Sequence, residues 1–196
     1  LNLFIGIALG ANVVIANAIG RKDMQSVKKA VHTALIVAVL SGIVVTVIGE
    51  LVAGKVMGLL HVPDDVFPEA LLYLRIYLLG LPVIFLYNFE AAVFRSIGDT
   101  KIPLQALLIS GVLNVILNLF FVIVCDLSVV GVALASAISQ CVSAFLILRA
   151  LTRVQDCYAL DPHKLQLDPV QAKSILALGV PAGLQNAIFA IANLFI

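Results

Sequence analysis

Long apolar stretches without a charged side chain alternate along the chain with short polar segments. A helix needs about 20 mostly apolar residues, at a rise of 1.5 Å per residue, to cross the hydrocarbon core of a bilayer. Windows of this length without any Asp, Glu, Lys or Arg occur at residues 1–20, 30–49, 102–125, 127–148 and 174–196. Each window predicts one transmembrane helix, and we expect the first and the last to be cut short by the ends of the chain.

A sixth apolar segment, residues 67–94, includes charged side chains such as Arg75 and Glu90. Gly80 and Pro82 lie near its middle, and proline inside a helix removes a backbone hydrogen bond and bends the axis. The segment therefore predicts a kinked transmembrane helix, which brings the expected number of spans to six.

The composition fits a membrane protein better than a soluble one. The 196 residues are 62% hydrophobic and 12% charged, whereas soluble domains are about 45–50% apolar and about 25% charged. A net charge of +1 gives no reason to expect a nucleic-acid partner. The fold class predicted is an all-α, polytopic transmembrane helix bundle, in contact with the lipid bilayer and belonging to a longer protein.

Catalytic and metal-binding motifs are missing from the sequence. The three cysteines form no CxxC pair, and the three histidines form no HExxH motif. We therefore expect no enzyme activity, no catalytic residue, no metal site and no cofactor.

Basic residues concentrate in every second loop, and this bias predicts the orientation. Cytoplasmic loops of membrane proteins are enriched in Lys and Arg. Ten of the twelve basic residues fall on one side of the predicted bundle, in loops near residues 21–29, 95–101 and 149–173. These loops are predicted to be cytoplasmic, and Lys55 and Arg75 lie on the other side.

The longest cytoplasmic connection, residues 151–172, is polar and contains two prolines. It predicts a boundary between two helix bundles. We interpret residues 1–150 as helices of an N-terminal lobe, 151–172 as an inter-lobe linker and 173–196 as the first helix of a C-terminal lobe.

Polar side chains form stripes along two of the predicted helices. A spacing of three or four residues places side chains on one helix face. One stripe is formed by Ser110, Asn114 and Asn118, and the other by Ser136, Ser139, Gln140 and Ser143. Two interpretations remain open, because such groups either line a hydrated cavity or hold helices together by hydrogen bonds.

Further candidates lie on the other helices. Asn88 and Glu90 are on the third predicted helix, and Gln185 and Asn186 are on the sixth. Glu90 either pairs with a cytoplasmic cation such as Arg95 or serves as a proton or cation site.

Glycines and an arginine suggest packing and anchoring roles. The spacings of Gly6 with Gly10 and of Gly54 with Gly58 are typical of close helix packing. Arg75 is expected to anchor its helix at the outer interface, with its charge in water.

Four segments stand out as motifs: GANVVIANAIGRKD at 10–23, YLRIYLLGLP at 73–82, FRSIGDTKIPL at 94–104 and LGVPAGLQNAIF at 178–189. Together they resemble segments of the multidrug and toxic compound extrusion (MATE) transporters. The resemblance implies that the chain covers helices two to seven of a twelve-helix protein with two lobes. It also implies an antiporter of the cell inner (plasma) membrane that exports small organic, often cationic, compounds in exchange for Na⁺ or H⁺. We expect a monomer.

The resemblance assigns roles residue by residue. It places Asn88, Asn114 and Ser136 in the polar network of the N-terminal lobe, and Asn118 stands where relatives often have an acid. We add Asn118 and Glu90 to this pathway, and expect Gln185 and Asn186 to approach it from the other lobe. The cytoplasmic loop motif is Arg95, Gly98, Asp99, Thr100 and Pro103.

Asp99 is expected to brace the start of the following helix rather than carry ions, because Gly98-Asp99-Thr100 has the composition of a turn before a helix. Two other functions remain open for the whole chain. One is a lipid-linked oligosaccharide flippase of the same superfamily, and the other is a membrane scaffold that transports nothing.

Overall fold

The computed structural model describes residues 2–60, 62–154, 156, 158–160 and 165–192. Within these residues every regular element is a helix, which confirms the all-α prediction. The helices are α1 (Asn2–Gly20), α2 (Met24–Leu59), α3 (Phe67–Leu79), α4 (Leu81–Ser96), α5 (Lys101–Leu119), α6 (Ser128–Arg153) and α7 (Pro169–Ala192), and a π-helical segment, Phe120–Val124, extends α5.

Each predicted span coincides with one helix or with a helix pair. In the described part of the chain, α2, α6 and α5 with its π-helical extension are each long and apolar enough to cross a membrane. The pair α3 and α4 makes a fourth span with a bend of 42°, and Gly80 lies at the break, which confirms the predicted kink. The apolar part of α1, Phe4–Gly20, is shorter, and α7 covers most of the last window.

Helix α2 is much longer than its charge-free window of 30–49. Its 36 residues extend over about 54 Å, well beyond the hydrocarbon thickness of about 30 Å. Charged residues at its two ends, such as Lys28 and Lys55, are exposed and continue the helix into the polar region. The prediction was too short because charged side chains mark the membrane boundary rather than the helix end.

The core lies where α1, α2 and α4 meet. Small and medium apolar side chains, including Ala11, Ile15, Val31 and Ala34, are completely or almost completely buried there. Helix α6 packs against α4 on one side and α5 on the other, so α5 lies at the edge of the bundle. The outer face of α5 is apolar and exposed, as expected for a helix that contacts lipid.

Helix α7 packs along α1 through glycines. A Cβ atom on Gly10 would lie 2.5 Å from the carbonyl oxygen of Ile175 and 2.6 Å from the backbone nitrogen of Gly179, and one on Gly6 would collide with the backbone of Gly183. The predicted packing role of Gly6 and Gly10 is confirmed.

The same prediction was wrong for Gly54 and Gly58. A Cβ atom on either residue would meet nothing within 4 Å. Ala53 and Met57 in the same stretch of α2 are buried, so Gly54 and Gly58 lie on a face of the helix that no other described helix contacts.

The connection between α6 and α7 is shorter than the linker predicted at 151–172. Helix α6 continues to Arg153 and α7 begins at Pro169, so only residues 154–168 lie between the two helices. Proline is favoured in the first turn of a helix because its missing N–H has no partner there anyway. Asp168 accepts hydrogen bonds from the N–H groups of Val170 at 3.0 Å and Gln171 at 3.2 Å.

This connection is fastened to the bundle at several points. The N–H of Asp168 donates to the Thr33 hydroxyl at 3.0 Å, and the Asp168 carboxylate lies 3.3 Å from the Lys29 ammonium. The ring of Tyr158 meets that of Phe94 edge to face at 6.4 Å. The end of α4, the connection after α6 and the starts of α2 and α7 therefore lie at one end of the bundle.

Replacing Asp168 by alanine is expected to lower thermal stability near neutral pH, with the difference from the wild type vanishing in acid. The hydrogen bond from Gln171 and the nearby Lys29 ammonium hold the pKa of Asp168 below its ordinary value of 3.8. A carboxyl with a lowered pKa stabilises the folded state above its ordinary pKa, and this contribution is lost as the pH falls through the lowered value. Thermal unfolding of both proteins over a pH series measures this.

Asp168→Asn is the matched control, because the amide oxygen still caps α7 while the charge facing Lys29 is lost. We expect a smaller loss than for Asp168→Ala. Equal stability of Asp168→Ala and the wild type near neutral pH would show that this fastening contributes nothing.

Candidate functional site

Side chains of α5 and α6 form a hydrogen-bonded cluster, which we call the asparagine cluster: Asn114, Asn118 and Ser139. The Asn114 Nδ2 donates to Ser139 Oγ at 3.1 Å, and the Asn118 Nδ2 donates to Asn114 Oδ1 at 2.9 Å. Ser139 Oγ in turn donates to the carbonyl oxygen of Ser136 at 2.9 Å. A chain of polar groups thus crosses from one apolar helix to the next.

The helical repeat explains why these side chains meet. Asn114 and Asn118 are four residues apart on α5, so they lie one above the other on the face that packs against α6. Ser110 continues this face by one more turn, but its hydroxyl donates to the Leu107 carbonyl oxygen of its own helix at 3.1 Å.

One acceptor in the asparagine cluster is left open. Asn118 Oδ1 is buried and has no hydrogen-bond partner. A buried polar atom without a partner costs about 1–3 kcal/mol, so this position favours the approach of a donor. An amide cannot release a proton near neutral pH, so the cluster offers hydrogen bonds rather than a charge.

Ser136 contributes differently from the prediction. Its carbonyl oxygen joins the cluster, while its side chain lines a cavity of about 250 Å³ on the other face of α6. The cavity lies between α3, α4 and α6 and is lined by Ile76, Tyr77, Gly80, Ile84, Ala133, Ser136, Ala137 and Gln140. Ser139 takes the place beside Asn114 that was predicted for the Ser136 hydroxyl.

The sequence contained a signal for Ser139, because this residue belongs to the predicted serine stripe. In the structure Ser139 is 5% exposed, whereas Ser136 is partly exposed. The resemblance favoured Ser136, but the register between α5 and α6, which decides the partner of Asn114, is a property of the packed bundle.

Asn88 is not part of the asparagine cluster. Its Nδ2 donates to the Ile84 carbonyl oxygen of its own helix at 2.8 Å. Because Ile84 lines the cavity and Asn88 is four residues further on, Asn88 lies one helical turn away on the same face.

Gln185 and Asn186 do not approach the asparagine cluster either. Helix α7 packs against α1 and α2, and α5 and α6 pack elsewhere. Gln185 is exposed and Asn186 is partly buried. In this structure the predicted contribution of α7 to a pocket shared with Asn114 is wrong, because α7 packs on the α1 and α2 side of the bundle whereas α5 packs on α6.

Glu90 is fully buried, with 0% of its surface exposed. Neither carboxylate oxygen has a hydrogen-bond partner. The suggested pairing with Arg95 is wrong, because the guanidinium Nη2 of Arg95 donates to the Asn88 carbonyl oxygen at 3.4 Å. Arg95 lies five residues further on, on a different face of α4.

Arg75 has a partner that the sequence did not reveal. Its Nε lies 3.6 Å from Glu50 Oε2 near the end of α2. The sequence had placed Arg75 on the outer side together with Lys55, and Glu50 lies on α2 only five residues before Lys55, so this sidedness was a usable signal. Half of the Arg75 side chain is exposed, in keeping with an interface anchor.

The cytoplasmic loop motif forms a turn before α5. Gly98 has a positive φ of 80°, which glycine adopts without strain. Asp99 Oδ1 accepts from the N–H of Lys101 at 2.9 Å and from that of Ile102 at 3.4 Å. The predicted bracing role of Asp99 agrees with this geometry. Thr100 is exposed and makes no side-chain cap, and Pro103 is buried in the first turn of α5.

No group of three or more His, Cys, Asp or Glu side chains gathers within the described part of the chain. The site therefore consists of neutral hydrogen-bonding groups between apolar helices, with one buried carboxyl, Glu90, on a neighbouring helix. Such an arrangement binds a small molecule by a few polar contacts and by apolar walls.

The family model described as MatE matches residues 1–120. "Probable multidrug resistance protein YoeA" of Bacillus subtilis (strain 168) is 28% identical over 204 residues, which cover 97% of this chain and 42% of that protein. "Multidrug export protein MepA" of Staphylococcus aureus (strain MRSA252) is 24% identical over 193 residues, covering 98% and 42%. The chain thus spans about two fifths of the length of these curated relatives.

Solved structures share the fold. The inward-facing conformation of a multidrug resistance MATE family transporter has a TM-score of 0.89 at 24% identity and covers 97% of this chain and 44% of its own. The outward-facing conformation of such a transporter gives 0.90 at 24% identity, covering 99% and 43%. The helices described above therefore have the arrangement found in these transporters.

Proposed function

The chain belongs to the MatE family, and from this premise we propose that the protein is a secondary transporter that exports small organic compounds across a membrane. The observation that carries the proposal is the asparagine cluster. Hydrogen-bonded amides between two lipid-exposed helices are costly in hydrocarbon unless they serve packing or a pathway. The open acceptor on Asn118 favours a pathway, because packing alone would leave no polar atom without a partner.

The chemistry of the site fits organic compounds of mixed character. Asn118 Oδ1 can accept a hydrogen bond from an ammonium or amide group, and the exposed apolar side chains of Val115 and Leu119 next to the asparagines on α5 can contact the apolar part of the same compound. The relatives YoeA and MepA are named for multidrug resistance and multidrug export, which supports the same class of substrate here.

The proposed mechanism is alternating access. In this proposal α1 to α6 belong to one lobe, and α7 is the first helix of a second lobe. The second lobe would rock against the first around a site near the midplane. The polar groups of α5 and α6 would face water in one state and be covered in the other. Export would be driven by exchange for Na⁺ or H⁺, without an organic cofactor or enzymatic chemistry.

We propose the plasma membrane as the location, with the basic loops near 21–29, 95–101 and 149–173 in the cytoplasm and the protein as a monomer. The gathering of Lys29, the end of α4 and the start of α7 at one end of the bundle supports a common side for these loops.

A flippase for lipid-linked oligosaccharides is the less favoured function. Its cavity would need basic side chains to bind phosphates. The cavity beside α6 is lined by neutral residues, and Arg75 is half exposed and faces Glu50. A scaffold that transports nothing would not account for the buried Asn118 Oδ1, which has no hydrogen-bond partner.

The test is efflux of a fluorescent organic cation from vesicles that contain the full-length protein. A sodium gradient and a proton gradient are imposed separately, and protein-free vesicles serve as the control. We expect one gradient or both to drive export above the control. No export under either gradient would contradict the proposal, and scrambling of a lipid-linked oligosaccharide in the same vesicles would replace it with the flippase.

A further inference from the structure

We propose that Glu90 is a proton-binding site of this transporter, which takes up a proton in the buried conformation seen here and releases it when the surrounding helices move. The inference rests on the proposed function, since it specifies the coupling ion. The geometry behind it is a carboxyl that is completely buried and has no hydrogen-bond partner on either oxygen.

The surroundings of Glu90 are apolar. Leu86 and Phe94 lie one turn before and one turn after it on the same stripe of α4. Leu86 lines a cavity of about 340 Å³ whose walls come from α2, α4, α6 and the connection before α7, and every lining residue is apolar. Phe94 meets Tyr158 of the same connection. The stripe of α4 that carries Glu90 thus faces this apolar cavity one turn before it and the connection one turn after it.

None of the described groups on the neighbouring elements forms a hydrogen bond with the Glu90 carboxyl. The titratable and charged groups on the elements that pack against α4 are Lys28, Lys29, His32, Glu50 and Lys55 on α2, Glu69, Tyr73, Arg75 and Tyr77 on α3, Lys101 on α5, Cys141, Arg149 and Arg153 on α6, and Asp156, Tyr158 and Asp168 in the described part of the connection. Helix α1 carries none. On α4 itself there are Tyr87 and Arg95. Glu90 forms no hydrogen bond with any of them.

His32 is the group among these that is buried in the core, with 3% of its surface exposed. The charged groups are exposed or partly exposed and lie towards the ends of the bundle. A charged carboxylate in such a place would cost many kcal/mol, and a carboxyl in this situation is neutral. The conformation seen here is therefore the one that holds the proton.

A proton explains the site better than a metal cation. A cation bound by this carboxylate needs several further oxygen ligands, and the side chains one turn to either side of Glu90 on α4, Leu86 and Phe94, are apolar. A proton needs only one carboxylate oxygen. The O–H bond forms when a hydronium ion on one side of the membrane gives its proton to the carboxylate and becomes water, and on the other side a water molecule takes the proton and becomes hydronium.

Proton release is linked to a conformational change by the dryness of the site. Glu90 is completely buried, and a buried water molecule needs several polar partners to stay bound. The carboxylate form of Glu90 requires water or a cation, so ionisation favours a conformation in which the connection and α6 have moved away. A group that binds protons differently in two conformations shifts the equilibrium between them by that difference.

The experiment compares Glu90→Gln with the wild type in vesicles containing the complete protein. We expect proton-driven export of a fluorescent organic cation to fall at least tenfold in the variant, and its dependence on internal and external pH to disappear. Glutamine keeps the shape and neutrality of the protonated side chain, so folding should be retained, which size-exclusion chromatography checks.

Glu50→Gln is the matched control, because it makes the same change at a carboxylate that pairs with Arg75 away from the core. We expect its export to stay within about twofold of the wild type. A wild-type protein driven by sodium alone, or a Glu90→Gln variant with an unchanged pH profile, would overturn the inference and leave the exporter intact.

A second measurement does not depend on export. Infrared difference spectra between acid and alkaline pH should show the carbonyl stretch of a protonated carboxyl in the wild type and in Glu50→Gln, and the band should be lost in Glu90→Gln. If no band depends on Glu90, the inference fails, whether or not the protein exports anything. The proposed function fails on a different result, which is the absence of export in the vesicle assay.

Discussion

Asn114→Leu is expected to abolish export while the protein still inserts into the membrane and folds. Asn114 is the middle member of the asparagine cluster, and both hydrogen bonds between its members pass through its amide. Leucine has a similar size but neither donor nor acceptor. Efflux of a fluorescent organic cation from vesicles, at matched protein levels, measures the effect.

The expected sizes of the changes in export and in thermal stability distinguish loss of a transport pathway from loss of helix packing. An interhelical hydrogen bond in a membrane protein contributes about 0.6–2 kcal/mol, which is too little to unfold a bundle by itself. We therefore expect only a modest fall in thermal stability with complete loss of export. Asn17→Leu, at an exposed asparagine near the end of α1, is the matched control and should export normally. Preserved export by Asn114→Leu would remove the cluster from the mechanism.

A cysteine accessibility scan distinguishes a cavity from packing at the same place. Single cysteines are introduced at positions 110, 114 and 118 of a variant whose native cysteines have been replaced. Each variant is then treated with a water-soluble thiol reagent. Labelling along the stripe would show that water reaches this face of α5. No labelling at any of the three positions would indicate that the polar groups only hold the helices together.

Gly6→Leu should cause the largest loss of stability. A Cβ atom at this position collides with the backbone of Gly183, and backbone cannot give way as a flexible side chain does. Overpacking of a well-packed interface costs about 1–3 kcal/mol and occasionally more, and a four-carbon side chain against backbone belongs at the upper end. We expect α1 and α7 to separate, with a marked fall in thermal stability and in the yield of folded protein.

Gly54→Leu is the matched control for this substitution. The same side chain is introduced on α2 where nothing lies within 4 Å, so stability should stay close to that of the wild type. Thermal unfolding in detergent, with yield after size-exclusion chromatography, compares the two. Equal stability of both variants would show that the close contact of α1 and α7 is not formed in the membrane.

Much of the helical architecture was predictable because the bilayer imposes it. A backbone in hydrocarbon must satisfy its own hydrogen bonds, so charge-free windows of about 20 residues become helices. The kink at Gly80 followed from local chemistry in the same way, as did the turn at Gly98 and Asp99. Helix ends were less predictable, and α2 and α7 extend past their windows because exposed charged residues continue a helix into the polar region.

The sequence by itself determined the membrane-spanning helices, the polar stripes on their faces and the glycines able to pack closely. Only the tertiary structure decided which partners those groups meet. It joined Asn114 to Ser139 rather than to Asn88, gave Gly6 and Gly10 a partner helix while Gly54 and Gly58 have none, and buried Glu90 without a hydrogen-bond partner in the described part of the chain. The physical reason is that helical periodicity is local to each segment, whereas the register and neighbours of a helix depend on packing contacts between residues far apart in the chain.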